Sequence, residues 1–238
     1  MDIHDYQQNG NGLLHFWHRA RLGLIKYSIR DLKNNITIAS IGCGTGEELT
    51  ILTKQAQVVG YDINQTALNL ARQQGFKTAY FDIAKNQLPT KYDVITAFDV
   101  LEHIKDDEFA LKNISRSLKA DGYFLLTVPA YQWLMSSHDL ALGHYRRYGQ
   151  KDLKQKLAKA NLKLIKIGRW NSFLAIFIII VRLFKKIWPP NESLSELKKT
   201  NYFIDKLLYL ILSWEVFLIR LGFKLPIGIS LYAIAQKK

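Results

Sequence analysis

Short apolar runs alternate with segments of helical periodicity along the first two thirds of the chain. Apolar runs bounded by turn residues are typical of buried strands. Asn64 precedes one helical segment and Gly75 follows it, as expected of cap residues. Such alternation predicts a doubly wound α/β sheet with parallel strands. Strands are expected at residues 36–41, 58–61, 76–81, 92–98 and 123–128, and helices at 47–54, 64–74 and 106–118.

The last third of the chain has a different pattern. A helix at 151–161 and strands at 162–167 and 229–235 continue the sheet, but residues 170–226 are mostly apolar. The apolar run 173–181 is too short to span a membrane, and the stretch 202–223 carries four charges. We expect residues 1–169 and 227–238 to form one domain, and residues 170–226 to form a helical insertion that acts as a lid or a membrane-surface element. The basic residues that flank its apolar runs are Arg182, Lys185, Lys186, Lys198, Lys199 and Lys224.

The balance of 48% hydrophobic and 22% charged residues is that of a folded globular chain. Its net charge of +13 arises entirely in residues 131–238, because residues 1–130 hold equal numbers of acidic and basic residues. This one-sided excess indicates a nucleic acid, an anionic membrane surface or an anionic substrate, or else a solvated surface. The single cysteine excludes an intrachain disulfide framework, and the polar, acidic N-terminus does not resemble a secretory signal. We expect a cytoplasmic protein, peripheral at the inner face of the membrane.

A glycine-rich loop follows the first predicted strand. Gly42, Gly44 and Gly46 stand at alternate positions, which lets the backbone turn tightly and approach a ligand. Asp62 ends the next strand, where a carboxylate can accept both hydroxyls of a ribose. The glycine spacing differs from the G-x-G-x-x-G pattern of dinucleotide sites, and no G-K-[ST] phosphate loop occurs. The pattern therefore favours another nucleoside cofactor.

The sequence resembles the class I S-adenosylmethionine-dependent methyltransferases in five pieces that occur in the family's order. The resemblance implies a Rossmann-like, doubly wound sheet of seven strands with the last strand antiparallel, and S-adenosyl-L-methionine as the cofactor. The matching pieces are IGCGTG (41–46), VVGYDIN (58–64), YFDIAKNQLP (80–89), YDVITAFDVLEHI (92–104) and LKADGYFLLTVPA (118–130).

The resemblance also implies roles for individual residues. The loop residues would surround the methionine and ribose portions of the cofactor, and Asp62 would hold the ribose hydroxyls. One residue departs from the pattern, because Ser40 stands where the family usually has an acid that organises the loop. The other implied contacts are Gly42, Cys43, Gly44 and Gly46 in the loop, Ile63 against the adenine, Asp82 at the adenine amino group with Ile83 supplying a backbone contact, and Phe98 and Asp99 where cofactor and acceptor meet.

The segment HFWHRAR (15–21) resembles the leading aromatic-basic helix of one bacterial branch of the family. In that branch the helix covers the cofactor. Arg21 is expected to pair with the methionine carboxylate, since a guanidinium matches a carboxylate with two hydrogen bonds. Trp17 is expected to close the pocket, although both aromatic residues of the segment also fit the core of an amphipathic helix.

Residues 131–148 follow the fifth predicted strand, where an acceptor would sit, and are rich in imidazoles, phenols and guanidiniums. We expect Tyr131, Arg146, Arg147 and Tyr148 to bind the acceptor, the alternative being structural ion pairs. His138, His144 or Asp99 would take a proton from a hydroxyl acceptor. His138 and His144 are six residues apart without a clear third ligand, so no metal site is expected.

These features predict a methyltransferase that acts on a small or lipid-linked acceptor, anionic or glycosylated, by O-methylation. Two other roles stay open for the helical insertion, a hairpin buried on the sheet and the contact of a homodimer. A non-catalytic S-adenosylmethionine-binding or membrane-surface protein with the same fold is the alternative function. Nucleic acid is not favoured as a partner, because the basic residues are interleaved with aliphatic runs rather than with exposed stacking aromatics.

Overall fold

The computed structural model describes residues 15–32, 35–180 and 201–238. The N-terminal segment predicted not to be a signal lies outside these ranges. So do five of the basic residues that flank the insertion, namely Arg182, Lys185, Lys186, Lys198 and Lys199. The strands are β1 (Ile36–Ile41), β2 (Ala56–Asp62), β3 (Thr78–Tyr80), β4 (Tyr92–Phe98), β5 (Leu118–Pro129), β6 (Leu162–Trp170) and β7 (Ser230–Lys237).

The strands form one seven-stranded sheet in the order β3-β2-β1-β4-β5-β7-β6. The first five strands in the chain pair in parallel, whereas β7 is antiparallel to both of its neighbours. The predicted seven-stranded Rossmann-like sheet with an antiparallel last strand is therefore confirmed. Because β1 and β4 are neighbours, the loops that follow β1, β2 and β4 meet at one edge of the sheet, where such folds bind ligands.

Helices cover both faces of the sheet, as the doubly wound pattern requires. Asn64 and Asp106 accept hydrogen bonds from backbone amides at the starts of two of these helices, which is how such caps stabilise a helix. The helices are α1 (Phe16–Ile29), α2 (Leu49–Leu52), α3 (Gln65–Gln73), α4 (Asp107–Ser117), α5 (Ser137–Ala141), α6 (Gln150–Lys159) and α7 (Tyr202–Arg220).

Helix α7 lies between β6 and β7 in the chain and packs against α1. Leu212, Val216 and Ile219 form its buried stripe, which joins a cluster around Trp170. The buried carboxylate of Glu215 accepts hydrogen bonds from the backbone amides of Ser172 and Phe173, at 2.8–3.1 Å, and so ties α7 to the segment after β6. None of the described helices is long and apolar enough to cross a membrane.

Asp93 links β1, β4 and β5 at the end of the sheet opposite the glycine loop. Its carboxylate accepts hydrogen bonds from the amide and hydroxyl of Thr37, at 2.8 and 2.7 Å, and from the ammonium of Lys119, at 2.8 Å. Burial alone would raise the pKa of Asp93, but these hydrogen bonds outweigh burial and lower the pKa to about 2. The ionised carboxylate therefore stabilises the folded chain.

We expect Asp93→Asn to lower the free energy of unfolding by about 1 kcal/mol at neutral pH, a small figure because the site is partly exposed. The pKa of this carboxyl is lower in the folded chain than its ordinary value of 3.8. Its contribution is thus complete above that value and is lost as the pH falls towards about 2. Urea unfolding of both proteins across this range measures the difference, and a difference independent of pH would contradict the assignment.

Candidate functional site

The loop after β1 has a backbone that only glycine adopts without strain at three positions. Gly42, Gly44 and Gly46 have φ values of 68°, 52° and 95°. A Cβ atom at Gly42 would lie 2.4 Å from Cγ2 of Val100, and one at Gly46 would lie 2.8 Å from Cδ2 of Phe76. The loop is therefore a tight turn that packs closely against Val100 and Phe76, where any larger residue would collide.

The carboxylate of Asp62 holds this loop in place from the end of β2. Its Oδ2 accepts a hydrogen bond from the amide of Gly44, and its Oδ1 accepts one from the amide of Asn64, both at 2.8 Å. Each carboxylate oxygen can accept a second hydrogen bond, so both ribose hydroxyls can still be bound. The next residue, Ile63, is 64% exposed and offers the apolar surface expected against the adenine.

Cys43 and Ile83 have buried side chains, which restricts how they can contact a cofactor. The sulfur of Cys43 packs against Gly60, where a Cβ atom would lie 2.7 Å away, so only the Cys43 backbone is placed to contact the cofactor. The carbonyl of Ile83 accepts a hydrogen bond of 2.9 Å from Asn113. Beside it, the carboxylate of Asp82 lies in the turn after β3 and accepts a 3.0 Å hydrogen bond from the amide of Ala84.

Helix α1 reaches the site through Arg21. The buried guanidinium donates a 2.9 Å hydrogen bond from Nη1 to Oδ2 of Asp99, a residue with a left-handed φ of 57° at the end of β4. The Nε of Arg21 has no hydrogen-bond partner among the described residues. Trp17 lies over the guanidinium at 4.9 Å and packs on Trp170 in an apolar cluster, a position that fits a core residue of the helix as well as a closing residue. Phe98 belongs to the core beneath them.

Glu48 is a residue of this site that the sequence analysis missed. Its buried carboxylate accepts a 3.2 Å hydrogen bond from the hydroxyl of Ser40, at the position where the family usually has an acid. Burial raises the pKa of Glu48, and the positive charge of Arg21 opposes that rise. An acid thus contacts Ser40 from the turn after the loop, and no spacing rule in the sequence describes this contact.

Three predicted acceptor-binding residues form internal contacts. Nε and Nη2 of Arg147 donate hydrogen bonds to Oδ1 of the buried Asp139, at 3.0 and 2.5 Å. Arg146 Nη1 and the hydroxyl of Tyr148 donate to the two oxygens of Asp107, both at 2.8 Å. Tyr148 is fully buried and Arg147 nearly so, and their contacts fix the loop after β5 instead of facing an acceptor.

Tyr131, which begins that loop, has a φ of 63°, and its amide donates to the carbonyl of Tyr148. His138 lies on the short helix α5 and is partly exposed. Nδ1 of His144 lies 3.3 Å from Oδ1 of Asp139. Among the aromatic side chains of this region, Trp133 and Tyr145 are exposed whereas Tyr148 is buried, so the region combines an exposed aromatic surface with an internally held support.

The structure also brings together a cluster that the sequence analysis did not predict. Glu102 and His103 form a 3-10 turn directly after β4, and His144 comes from the loop after β5. The rings of His103 and His144 meet edge to face, with centroids 4.6 Å apart. Burial is the main cause that raises the pKa of Glu102 well above its ordinary value, and the negative charge of Asp99 is the second. His103 and His144 are far apart in the sequence, so the spacing of histidines within one segment could not predict that they meet.

The glycine loop, the strand-end carboxylate of Asp62 and the covering helix together define the nucleoside-cofactor site of a Rossmann-like enzyme. Residues 14–167 match a family model described as a methyltransferase domain. The chain belongs to the class I S-adenosylmethionine-dependent methyltransferases, and S-adenosylmethionine is its cofactor. The glycine loop and the Nε of Arg21, which has no hydrogen-bond partner in the part of the chain that the structure describes, fit that group, since the cofactor carries a carboxylate and a ribose.

Curated relatives match parts of the chain. It is 35% identical over 100 residues to the polyketide synthase ThaQ of Burkholderia thailandensis, a match that covers 37% of this chain and 5% of that protein. It is 27% identical over 124 residues to the ubiquinone biosynthesis O-methyltransferase of Leptothrix cholodnii, covering 48% of this chain and 52% of the relative. The chain thus spans about half the length of the ubiquinone-pathway relatives it matches.

Among solved structures, an S-adenosylmethionine-dependent methyltransferase from Mesorhizobium loti superposes with a TM-score of 0.61 at 13% identity. The match covers 90% of this chain and 96% of that one. At this identity the likeness establishes the fold alone.

We expect Asp62→Asn to raise the dissociation constant for S-adenosylmethionine at least tenfold, which is about 1.4 kcal/mol. The variant keeps the shape of the side chain but loses the charge that strengthens hydrogen bonds from the ribose hydroxyls. Isothermal titration calorimetry measures the constant, with Asp31→Asn as the control because Asp31 is an exposed carboxylate after α1. Equal affinities of the Asp62 variant and the unmodified protein would remove Asp62 from the ribose site.

Proposed function

We propose that this protein transfers a methyl group to a hydroxyl oxygen of a small or lipid-linked acceptor. The observation that carries the proposal is the cluster of imidazoles, carboxylates and aromatic rings formed by the loops after β4 and β5, next to Asp99. An acceptor held there lies at the same sheet edge as the cofactor loop. The name of the Leptothrix cholodnii relative, a ubiquinone biosynthesis O-methyltransferase, supports a hydroxyl acceptor.

S-adenosylmethionine supplies, when bound, an electrophilic methyl group on a sulfonium. The protein's own task is then to align the acceptor oxygen and to exclude water. A hydroxyl must also lose its proton, and His138, His144 and Asp99 stay the candidate groups for holding it. His144 is favoured among them, because Asp139 lies beside its Nδ1 while Asp99 is already bound to Arg21. A phenolic or other acidic hydroxyl suits this arrangement best, since its proton is lost most easily.

The lipid-linked nature of the acceptor is inferred from α7. One face of this helix packs on α1, and the other face exposes large apolar side chains to solvent. Lys206, Arg220 and Lys224 add positive charge on and directly after the helix. Apolar and basic residues on one surface helix fit an anionic bilayer, into which the apolar face inserts. The exposed apolar residues are Tyr202, Phe203, Ile204, Leu207, Leu210, Trp214, Phe217 and Leu221.

We expect transfer of labelled methyl from S-adenosylmethionine to phenols that carry an isoprenoid or acyl tail. The product is a methyl ether, which resists base, whereas the methyl ester formed from a carboxylate is hydrolysed by base. His144→Gln should lower kcat by roughly a hundredfold or more, and His15→Gln, at the start of α1, should leave it unchanged. Labelling of amines or carboxylates in place of hydroxyls would overturn the assignment to O-methylation, and binding of the cofactor without any turnover would favour a non-catalytic binding protein.

We expect the protein to float with vesicles of mixed zwitterionic and anionic phospholipids. The double variant Trp214→Ser/Phe217→Ser should weaken this binding roughly tenfold or more, because it removes two large apolar side chains from the inserted face. The matched control is Ile165→Ser, which removes a 50% exposed apolar side chain from the edge strand β6. Equal flotation of the three proteins, or no flotation of the unmodified protein, would count against α7 as a membrane surface.

A further inference from the structure

The carboxylate of Glu102 is buried and lacks the contacts that such a group requires. The side chain lies in the 3-10 turn after β4 and is 1% exposed. Neither of its oxygens has a hydrogen-bond partner among residues 15–32, 35–180 and 201–238. A buried carboxylate without donors costs several kcal/mol in comparison with one in water. Native proteins rarely retain such a group unless a ligand or an ion completes its surroundings.

Two imidazoles stand beside this carboxylate. One ligand atom each from Glu102, His103 and His144 lie within 4.8 Å of one another. Nitrogen and oxygen ligands about 2.1 Å from a common cation are separated by about 3–4 Å, so small side-chain rotations bring all three into a coordination sphere. His103 is exposed and His144 is partly exposed, which leaves the cluster open on its solvent side while Glu102 forms its floor.

The backbone and the residues behind the cluster hold its two loops together. The amide of Tyr145 donates a 2.8 Å hydrogen bond to the carbonyl of Glu102, which links the loop after β5 to the turn after β4. Behind His144, Oδ1 of Asp139 lies 3.3 Å from Nδ1, and Arg147 holds that carboxylate in turn. This approach is not a hydrogen bond, since Nδ1 of His144 has no hydrogen-bond partner among the described residues. A modest rotation of the ring would make Asp139 the outer carboxylate partner that commonly orients a metal-binding histidine.

We propose that Glu102, His103 and His144 bind a divalent first-row transition-metal cation of the zinc, iron or manganese class. The donor set decides the class, because two imidazoles and one carboxylate suit these ions better than calcium or magnesium, which prefer oxygen ligands. The negative charge of Asp99 nearby adds to the attraction for a cation. Three ligands from the protein leave at least one coordination position open towards solvent.

The open position gives the site a role in the reaction, and this part rests on the proposed hydroxyl acceptor. A hydroxyl oxygen bound to the cation loses its proton more readily, because the positive charge stabilises the alkoxide or phenoxide that remains. The leaving proton passes to solvent or to a nearby carboxylate, and the oxygen keeps the electron pair that attacks the methyl group. The O–C bond forms as the C–S bond of the sulfonium breaks, and the sulfur keeps that electron pair in the departing thioether. When the cation is bound, His144 serves as its ligand instead of as the free base considered under the proposed function, and the cation activates the acceptor hydroxyl in its place.

The test is a titration of the full chain, stripped of metal with a chelator, with Co²⁺ alone and then with Zn²⁺ as a competitor. We expect one equivalent of Co²⁺ to bind with a dissociation constant of about 1 µM or tighter. Its visible d–d absorption bands should be those of a four- or five-coordinate ion, not the weak bands of the hydrated ion. One equivalent of Zn²⁺ should abolish these bands.

His103→Gln and His144→Gln should each weaken Co²⁺ binding at least tenfold and change the bands, because each removes one nitrogen ligand. His138→Gln, which removes a histidine of the same loop outside the cluster, is the matched control and should bind as the unmodified protein does. His103 is exposed, so its substitution leaves the core intact, and titration with S-adenosylmethionine checks that each variant is folded.

Failure of the folded protein to bind Co²⁺ with defined stoichiometry would overturn the proposal, as would equal binding by the His138 and His144 variants. The titration contains neither cofactor nor acceptor. Its outcome is therefore independent of whether the protein methylates hydroxyl groups, and failure of the proposed function would leave a positive metal titration standing.

Discussion

The guanidinium of Arg21 crosses from α1 to the carboxyl end of β4, where it meets Asp99 beneath the ring of Trp17. Both partners are largely withdrawn from water, and removal of one would leave the other as an uncompensated charge in the interior. The pair therefore fixes where α1 lies over the sheet edge. This contact acts together with the apolar packing of α1 on the sheet and with the hydrogen bonds by which Asp62 holds the cofactor loop.

The same helix transmits that constraint to the insertion. Arg19 pairs with Asp205 at the start of α7, and a second oxygen of Asp205 accepts a 2.8 Å hydrogen bond from the amide of Phe16. Helix α7 is thus attached to α1, the helix that carries Arg21, and not to a distant part of the sheet. A membrane bound to α7 would therefore lie close to the site where methyl transfer is expected.

Acidic side chains are concentrated at the sheet edge that holds the site. Asp62, Glu48, Asp99 and Glu102 all lie there, and Arg21 and Arg147 are the cations that balance them most closely. Such an excess of carboxylates suits ligands with positive charge, because the attraction is strong where water is excluded. The sulfonium and ammonium of the cofactor bring positive charge, and a divalent cation at Glu102 would bring more.

The alternation of strands and helices and the glycine loop could be predicted from the sequence because both depend on local patterns, whereas the antiparallel last strand followed from the family resemblance. Positive φ at Gly42, Gly44 and Gly46 and the cap at Asn64 are properties of a few adjacent residues. The compensation of Ser40 by Glu48 joins a strand to the turn beyond the loop, and no spacing rule describes it. The residue types of Arg147 and Tyr148 predicted ligand binding. In the structure both side chains are buried, and their hydrogen bonds to Asp139 and Asp107 stabilise the loop that carries His144. The approach of that loop to Glu102 depends on how β4 and β5 pair, so it is a property of the folded sheet alone.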